Sequence, residues 1–229
     1  MCMKKLLILL FLFLFSLPAN AIVIDTTKDG NVENYINKIG FKILNCNRIP
    51  YRITFFYNNN SKVINAYSST TDRKIVIYKG IITIADNKDE IAAVLAHEIS
   101  HSVDSSEGLW RGFFAGTKYL LSPKKYELKA DKRAVDYMVS AGYNPLAIMT
   151  VYTKIMSEPR YDFLSTHPLS SKRMMYIYEY IYNKYPAFLA NNEYEDNIYY
   201  QNFLLTSEKN RKKLQNKIET NSKKKVKYE

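Results

Sequence analysis

The sequence predicts an α+β protein that is mainly helical, with a small antiparallel sheet packed beside one long helix. Three short segments rich in aromatic and β-branched residues follow one another between residues 51 and 78. Longer segments with helical apolar periodicity begin at residue 87 and continue through most of the remaining chain. Hydrophobic residues make up 47% of the 229 positions, which is ample for a buried core.

The first half of the chain contains one helix and the three strands. Asp29 to Ile39 is helical in pattern and is expected to end at Gly40. Tyr51–Tyr57, Lys62–Tyr67 and Arg73–Tyr78 are the expected strands, since turn-forming residues separate them.

The strongest helix prediction covers Asn87 to Val103. Asn87 or Asp86 can cap it, and Asp89 and Glu90 suit the positive end of the helix dipole. An apolar stripe at i, i+4 spacing anchors this helix: Ile91, Leu95, Ile99 and Val103.

Four later helices are expected. One starts at Ser122-Pro123, since proline is favoured in the first turn, and ends at Gly142. Two more are expected at Pro145–Met156 and Leu169–Tyr185, and the last at 197–218.

The string His97-Glu98-Ile99-Ser100-His101 indicates a catalytic metal site. Two histidines one helical turn apart project from the same face, so both imidazoles can hold one ion. Glu98 is then placed to take a proton from a water molecule that the ion activates. The histidines lie on a different face from the apolar stripe, which disfavours their being ordinary core residues.

Zinc in a catalytic site needs a third protein ligand, and Glu127 is the best candidate. Asp131 follows it by one turn on the same helix face, where it can accept a hydrogen bond from a ligand histidine. The alternative is a solvated acidic face, because lysines surround both carboxylates.

His167, in Thr166-His167-Pro168, is the one remaining histidine. It could donate a hydrogen bond to the oxyanion, or it could act as a reversible fourth zinc ligand. Arg173, on the helix that follows, is expected to be an ion-pair partner rather than a catalytic group.

The two ends of the chain differ from its middle. Lys4-Lys5, an apolar run from Leu6 to Phe15 and Ala19-Asn20-Ala21 indicate a signal peptide, residues 1–21, and hence export to the periplasm or beyond the cell. An uncleaved membrane anchor is the alternative. Cys46 is then the only cysteine of the mature chain, and we expect it to be buried.

The net charge of +11 is concentrated at the other end. We expect a metallopeptidase domain at 22–190 and a basic, helical or disordered tail at 191–229. A solvated tail is the default expectation, and peripheral contact with a membrane through the basic residues is the alternative. Nucleic acid is not expected as a partner, because no aromatic-and-basic motif typical of nucleic-acid modules is present.

Four stretches in order resemble the gluzincin family that contains the CaaX prenyl protease, HtpX and BepA. They are Asn65-Ala66-Tyr67, the segment from Lys79 through His101, Glu127 through Pro145, and Thr166 through Arg173. The resemblance implies a zincin-like fold and one zinc ion held by His97, His101 and Glu127. It also implies that Glu98 is the acid/base, that His167 lies in the active site, and that extended substrates add to the strand at Asn65, Ala66 and Tyr67.

The membrane-spanning helices and the helical-repeat domain of some members have no counterpart in this sequence. We therefore expect a small exported zinc metalloendopeptidase that acts on protein or peptide substrates, in the protein quality control of the cell envelope. The alternative is a chaperone-like or binding factor of low activity whose metal site is autoinhibited. The sequence does not indicate the oligomeric state.

Overall fold

The computed structural model describes residues 29–69, 72–110, 123–158, 167 and 170–229. Three strands lie within the first third of this range: β1 (Thr54–Asn58), β2 (Ala66–Ser69) and β3 (Lys74–Tyr78). The helices are α1 (Asp29–Cys46), α2 (Lys79–Ile84), α3 (Lys88–Trp110), α4 (Pro123–Ser140), α5 (Ala147–Ser157), α6 (Ser171–Lys184), α7 (Ala187–Ala190), α8 (Ile198–Thr206) and α9 (Glu208–Glu219). The α+β class and the dominance of helices are confirmed.

The sheet is mixed, so the expectation of an antiparallel sheet is wrong for one of its two strand pairs. Its order is β1-β3-β2. β2 and β3 pair antiparallel, whereas β1 and β3 run parallel with Phe55 opposite Ile75. The connection between β2 and β3 is short, so these two strands run antiparallel. β1 pairs with the opposite edge of β3, and these two strands point in the same direction.

Helix α1 continues through Gly40, where the sequence pattern predicted its end, and stops at Cys46. Gly40 lies against the ring of Phe55, and a Cβ atom at this position would come within 2.4 Å of that ring. The glycine therefore permits close packing of α1 on the sheet rather than ending the helix. Cys46 is exposed, so the expectation that it is buried is wrong.

Helix α3 forms the centre of the core. Every residue from Glu90 to Ser100 is buried, and the helix packs on the sheet and on α1, α4 and α5. The side-chain oxygen of Asn87 accepts hydrogen bonds from the backbone N–H groups of Asp89 and Glu90, both at 3.0 Å, and so caps the helix as expected.

The C-terminal region packs against the same core. The helix expected at 197–218 is broken at Ser207 into α8 and α9. Its buried aromatic residues and those around it belong to the main core cluster: Tyr194, Tyr200, Phe203 and Tyr228. The domain division at 190/191 stays a prediction.

The expected signal peptide, residues 1–21, lies outside the described part of the chain. Among the described residues, none of the helices is both long enough and apolar enough to span a bilayer.

A buried ion pair connects the beginning of α3 to α5. Lys154 is 4% exposed and Glu90 is fully buried. The ammonium nitrogen of Lys154 lies 2.8 and 2.7 Å from the two carboxylate oxygens of Glu90, and Asp86 contacts it as well. The Tyr199 ring of α8 lies 5.1 Å from the same nitrogen, so the pair joins three helices.

We predict that Lys154→Met lowers the free energy of unfolding by about 3–5 kcal/mol, because it leaves the Glu90 carboxylate buried without its cation. Urea denaturation measures the change. Lys212→Met is the matched control, since Lys212 forms a surface pair with Glu208 and both side chains are mostly exposed. Equal stability of the two variants would contradict the assigned contribution of the buried pair.

Candidate metal centre

Helix α3 presents His97 and His101 to the same space. Their Nε2 atoms lie 3.0 Å apart. His97 is fully buried, while the side chain of His101 is 11% exposed. The pair is therefore directed to the inside of the protein but keeps a narrow route to solvent on the His101 side.

Helix α4 brings Glu127 to the two imidazoles. Its Oε1 lies 3.2 Å from Nε2 of His101, and its Oε2 lies 3.4 Å from Nε2 of His97. Glu127 is 2% exposed. The alternative from the sequence was a solvated acidic face among lysines. The structure instead buries the carboxylate of Glu127.

His167 joins the same cluster. Its Nδ1 lies 3.2 Å from Nε2 of His97 and 3.3 Å from Oε2 of Glu127, and the residue is 7% exposed. One donor atom from each of His97, His101, Glu127 and His167 falls within 4.8 Å of all the others. In this conformation His167 offers a fourth donor atom to the same space.

The donor separations that involve Nε2 of His97 are close to those around a tetrahedral ion. Four donors at the zinc–nitrogen and zinc–oxygen distances of about 2.0–2.1 Å would be separated by roughly 3.3–3.5 Å. The contacts given above range from 3.0 to 3.4 Å. Three imidazole nitrogens and one carboxylate oxygen are also a donor set that suits zinc.

The carboxylate of Glu98 lies next to the donor cluster without any direct hydrogen bond from the described residues. Both of its oxygens are buried. Oε1 lies 3.3 Å from Nε2 of His167, outside hydrogen-bond geometry. A buried carboxylate with this freedom can accept a proton from a molecule bound in the cluster.

Asp131 lies behind His97, one turn after Glu127. Its Oδ1 is 3.0 Å from Nδ1 of His97, an ion-pair distance outside hydrogen-bond geometry, so the carboxylate faces the ring nitrogen that points away from the cluster. Burial raises the pKa of Asp131, but the charge and hydrogen bonds of Arg173 outweigh it and lower the pKa to about 2. Asp131 is therefore a stable anion that can orient the ring.

Arg173 of α6 holds both carboxylates of α4. Its NH1 lies 2.9 Å from Oε2 of Glu127, and its NH2 donates to Oδ1 of Asp131 at 2.7 Å. Burial raises the pKa of Glu127, yet the hydrogen bonds from His101, His167 and His97 bring it far below its ordinary value. Arg173 occupies the position of an ion-pair partner that the sequence suggested.

The sequence reasoning missed Tyr152 on α5. Its hydroxyl donates to Oδ1 of Asp131 at 3.0 Å, and its ring packs edge-on against His97 with 6.2 Å between centroids. No pattern in the sequence could have shown this, because a buried tyrosine in an apolar helix looks like any other core residue.

A second contact between α3 and α4 lies beyond the donor cluster. Oδ1 of Asp104 accepts hydrogen bonds from Lys129 at 2.6 Å and from Arg133 at 2.7 Å. Asp104 is one turn after His101, so this contact holds the two helices together beside the donor cluster.

The residues expected to form the substrate edge lie at the border of the sheet. Asn65 precedes β2, Ala66 begins it, and β2 has β3 as its one described neighbour. Ala66 is fully buried, whereas Tyr67 is 40% exposed. β2 also packs on α3, the helix that carries His97 and His101.

Comparison with known proteins agrees with this site. A model of peptidase family M48 matches residues 29–107 and 115–181. The beta-barrel assembly-enhancing protease of Escherichia coli is 24% identical over 187 aligned residues, which cover 64% of this chain and 38% of that protein. The corresponding protein of Yersinia pestis is 25% identical with the same coverage. The mitochondrial metalloendopeptidase OMA1 of Arabidopsis thaliana is 28% identical over 140 residues, 50% of this chain and 29% of that protein.

This chain thus spans less than two fifths of the length of these relatives. The family match, however, covers the helix of His97 and His101 and the helix of Glu127, and it extends past His167 and Arg173. The gluzincin resemblance seen in the sequence is confirmed, and the chain belongs to peptidase family M48.

Proposed function

We propose that this protein is a zinc-dependent endopeptidase that hydrolyses protein or peptide substrates. The observation that carries the proposal is the convergence of four donor atoms from His97, His101, Glu127 and His167 beside the buried carboxylate of Glu98. The family membership supports the same reaction, and three relatives are named as a protease or a metalloendopeptidase.

His97, His101 and Glu127 hold the ion in this proposal. When bound, zinc lowers the pKa of water to about 7 and polarises a carbonyl oxygen. Glu98 accepts the proton from the attacking water and returns it to the leaving amine. Asp131 and Arg173 are positioning residues: Asp131 faces Nδ1 of His97 and orients its ring, while Arg173 keeps Asp131 ionised and pairs with both carboxylates of α4.

Substrate binding is assigned to β2. The strand is at the sheet edge among the described residues, and we propose that a substrate strand adds along Asn65, Ala66 and Tyr67. The carbonyl of Asn65 accepts a hydrogen bond from the backbone N–H of Tyr78, so the groups that an added strand can use are those that face away from β3. The exposed side chain of Tyr67 then lies next to an added peptide.

We place this activity in the cell envelope. The N-terminal segment has the pattern of a signal peptide, and the Escherichia coli and Yersinia pestis relatives are named for the enhancement of beta-barrel assembly. Quality control of envelope proteins is the process that we propose for this chain.

A second function is favoured by the position of His167. Because its Nδ1 lies among the donor atoms and its Nε2 faces Glu98, it occupies the space where a substrate and its attacking water would have to enter. The protein would then be a factor of low activity that binds proteins while its metal site is closed.

Replacement of Glu98 tests its role as the proton acceptor. Glu98→Gln removes the proton acceptor but keeps the shape of the side chain, so we expect kcat on casein to fall by at least about 100-fold. Zinc content, measured by metal analysis, should stay at one ion per chain. Glu195→Gln, an exposed position, is the matched control. Unchanged turnover by Glu98→Gln would remove Glu98 from the mechanism.

Replacement of Glu127 tests its role as a zinc ligand. Glu127→Gln exchanges an anionic ligand for a neutral amide, and we expect zinc affinity to fall by about 100-fold or more, since even changes behind the ligands cost about 10–100-fold. Competition with a chromophoric chelator measures the affinity. If the variant binds zinc as tightly as the unchanged protein, Glu127 is not a ligand.

Replacement of His167 distinguishes an inhibitory zinc ligand from a donor to the oxyanion. As an inhibitory ligand it would leave only a small fraction of molecules active, and His167→Ala would raise casein hydrolysis by about 10-fold if one molecule in ten is open. A loss of activity would instead assign His167 to oxyanion stabilisation. Zinc-loaded protein that is inactive with and without His167 would favour the binding factor over the peptidase.

A further inference from the structure

The basic C-terminal region forms a concave surface instead of projecting freely into solvent. A shallow, open concavity of about 250 Å³ lies between the second half of α9 and the segment that follows it. Four lysines line it, two from the helix and two from the segment: Lys213, Lys217, Lys224 and Lys225. Asn216, Thr220 and Ser222 also line the concavity and add polar groups to it.

The segment after α9 is anchored at its end. Tyr228 is 2% exposed, its hydroxyl donates to Oε2 of Glu179 at 3.0 Å, and its ring packs on Tyr176 with 4.8 Å between centroids. The backbone N–H of Glu229 donates to the side chain of Asn210 at 3.1 Å. These contacts hold the second wall of the concavity against α6 and α9.

The four lysines differ in their charge partners. Lys213 pairs with Glu229 at 2.6 Å and Lys217 pairs with Glu179 at 2.8 Å, which fixes both side chains in the wall. Across the described residues, neither Lys224 nor Lys225 has a carboxylate within ion-pair distance. Residues 208–229 carry nine Lys and Arg against three Glu, a net +6, and a concave surface concentrates such a potential.

We propose that this concavity binds the phosphate of an anionic lipid headgroup and holds the protein at a membrane surface. Lysine ammonium groups bind phosphate as point charges. Lys223 and Lys227 extend the positive surface beyond the space that one phosphate fills, and both are exposed, as expected for contact with a charged layer rather than with a single small anion.

The test compares two double variants of the full chain in vesicle co-sedimentation. Lys224→Gln with Lys225→Gln removes the two lining lysines that have no carboxylate partner among the described residues, and Lys38→Gln with Lys62→Gln removes the same charge from exposed positions elsewhere. The measured quantity is the ratio of binding to vesicles with 30% phosphatidylglycerol over binding to phosphatidylcholine alone. This ratio cancels any attraction of the apolar N-terminal residues to lipid.

We expect the ratio to fall about 30-fold for the first variant, since each lysine near an anionic surface strengthens binding about five-fold. The control should keep its ratio within about two-fold, and raising the salt from 50 to 200 mM should weaken the binding of the unchanged protein. Circular dichroism should show the same fold for both variants.

Three results would overturn the proposal. Equal losses in both variants would mean that net charge alone attracts the protein. Equal binding to both kinds of vesicle would mean that no anionic headgroup is recognised. Binding of inorganic phosphate that calorimetry detects and that Lys224→Gln with Lys225→Gln abolishes, without preference for the anionic vesicles, would mean that the concavity takes a free phosphate. None of these measurements depends on peptide hydrolysis, so their outcome is independent of the peptidase assignment.

Discussion

The packing of α3 against α4 is the contact on which the rest of the site depends. Two imidazoles come from one helix and two carboxylates from the other, and they meet in a space that excludes most water. His97 lies between Glu127 and Asp131, with one ring nitrogen 3.4 Å from the first and the other 3.0 Å from the second. A small sliding of either helix would separate both pairs at once, since the carboxylates lie one turn apart on α4.

Burying these charges is unfavourable unless they are compensated, and most of the polar core provides this compensation. Arg173 lies between the carboxylates of Glu127 and Asp131, Tyr152 donates to Asp131, and Asp104 joins Lys129 and Arg133 at the edge of the same helix pair. At the beginning of α3, the buried charges of Lys154 and Glu90 compensate each other. In contrast, the oxygens of Glu98 receive no hydrogen bond from the described residues. The structure therefore holds the donor cluster through many contacts and leaves the carboxylate of Glu98, the expected base, without a hydrogen bond from the described residues.

The C-terminal helices belong to this arrangement as well. α6 carries Arg173 into the site, and its other side receives Tyr228 and the segment after α9. A basic stretch that looks solvated in the sequence is thus attached to the helix whose Arg173 pairs with Glu127 and Asp131. Because lysines from α9 and from the anchored segment face the same concavity, the positive charge of this region has a defined shape.

By itself, the sequence determined the features that depend on local spacing. A histidine pair at i and i+4 has to share a helix face, and aromatic, β-branched runs favour extended backbone, so the long helix, β1 and β3 were predictable. The second strand was expected at Lys62–Tyr67 and lies instead at Ala66–Ser69. Tertiary structure alone decided what depends on approach between distant segments. The parallel pairing of β1, the continuation of α1 through Gly40 against Phe55, the contact of Tyr152 with Asp131 and the placement of His167 among the donors all join residues far apart in the chain. Such contacts result from the shape of the whole core, and the pattern around any one residue does not contain that information.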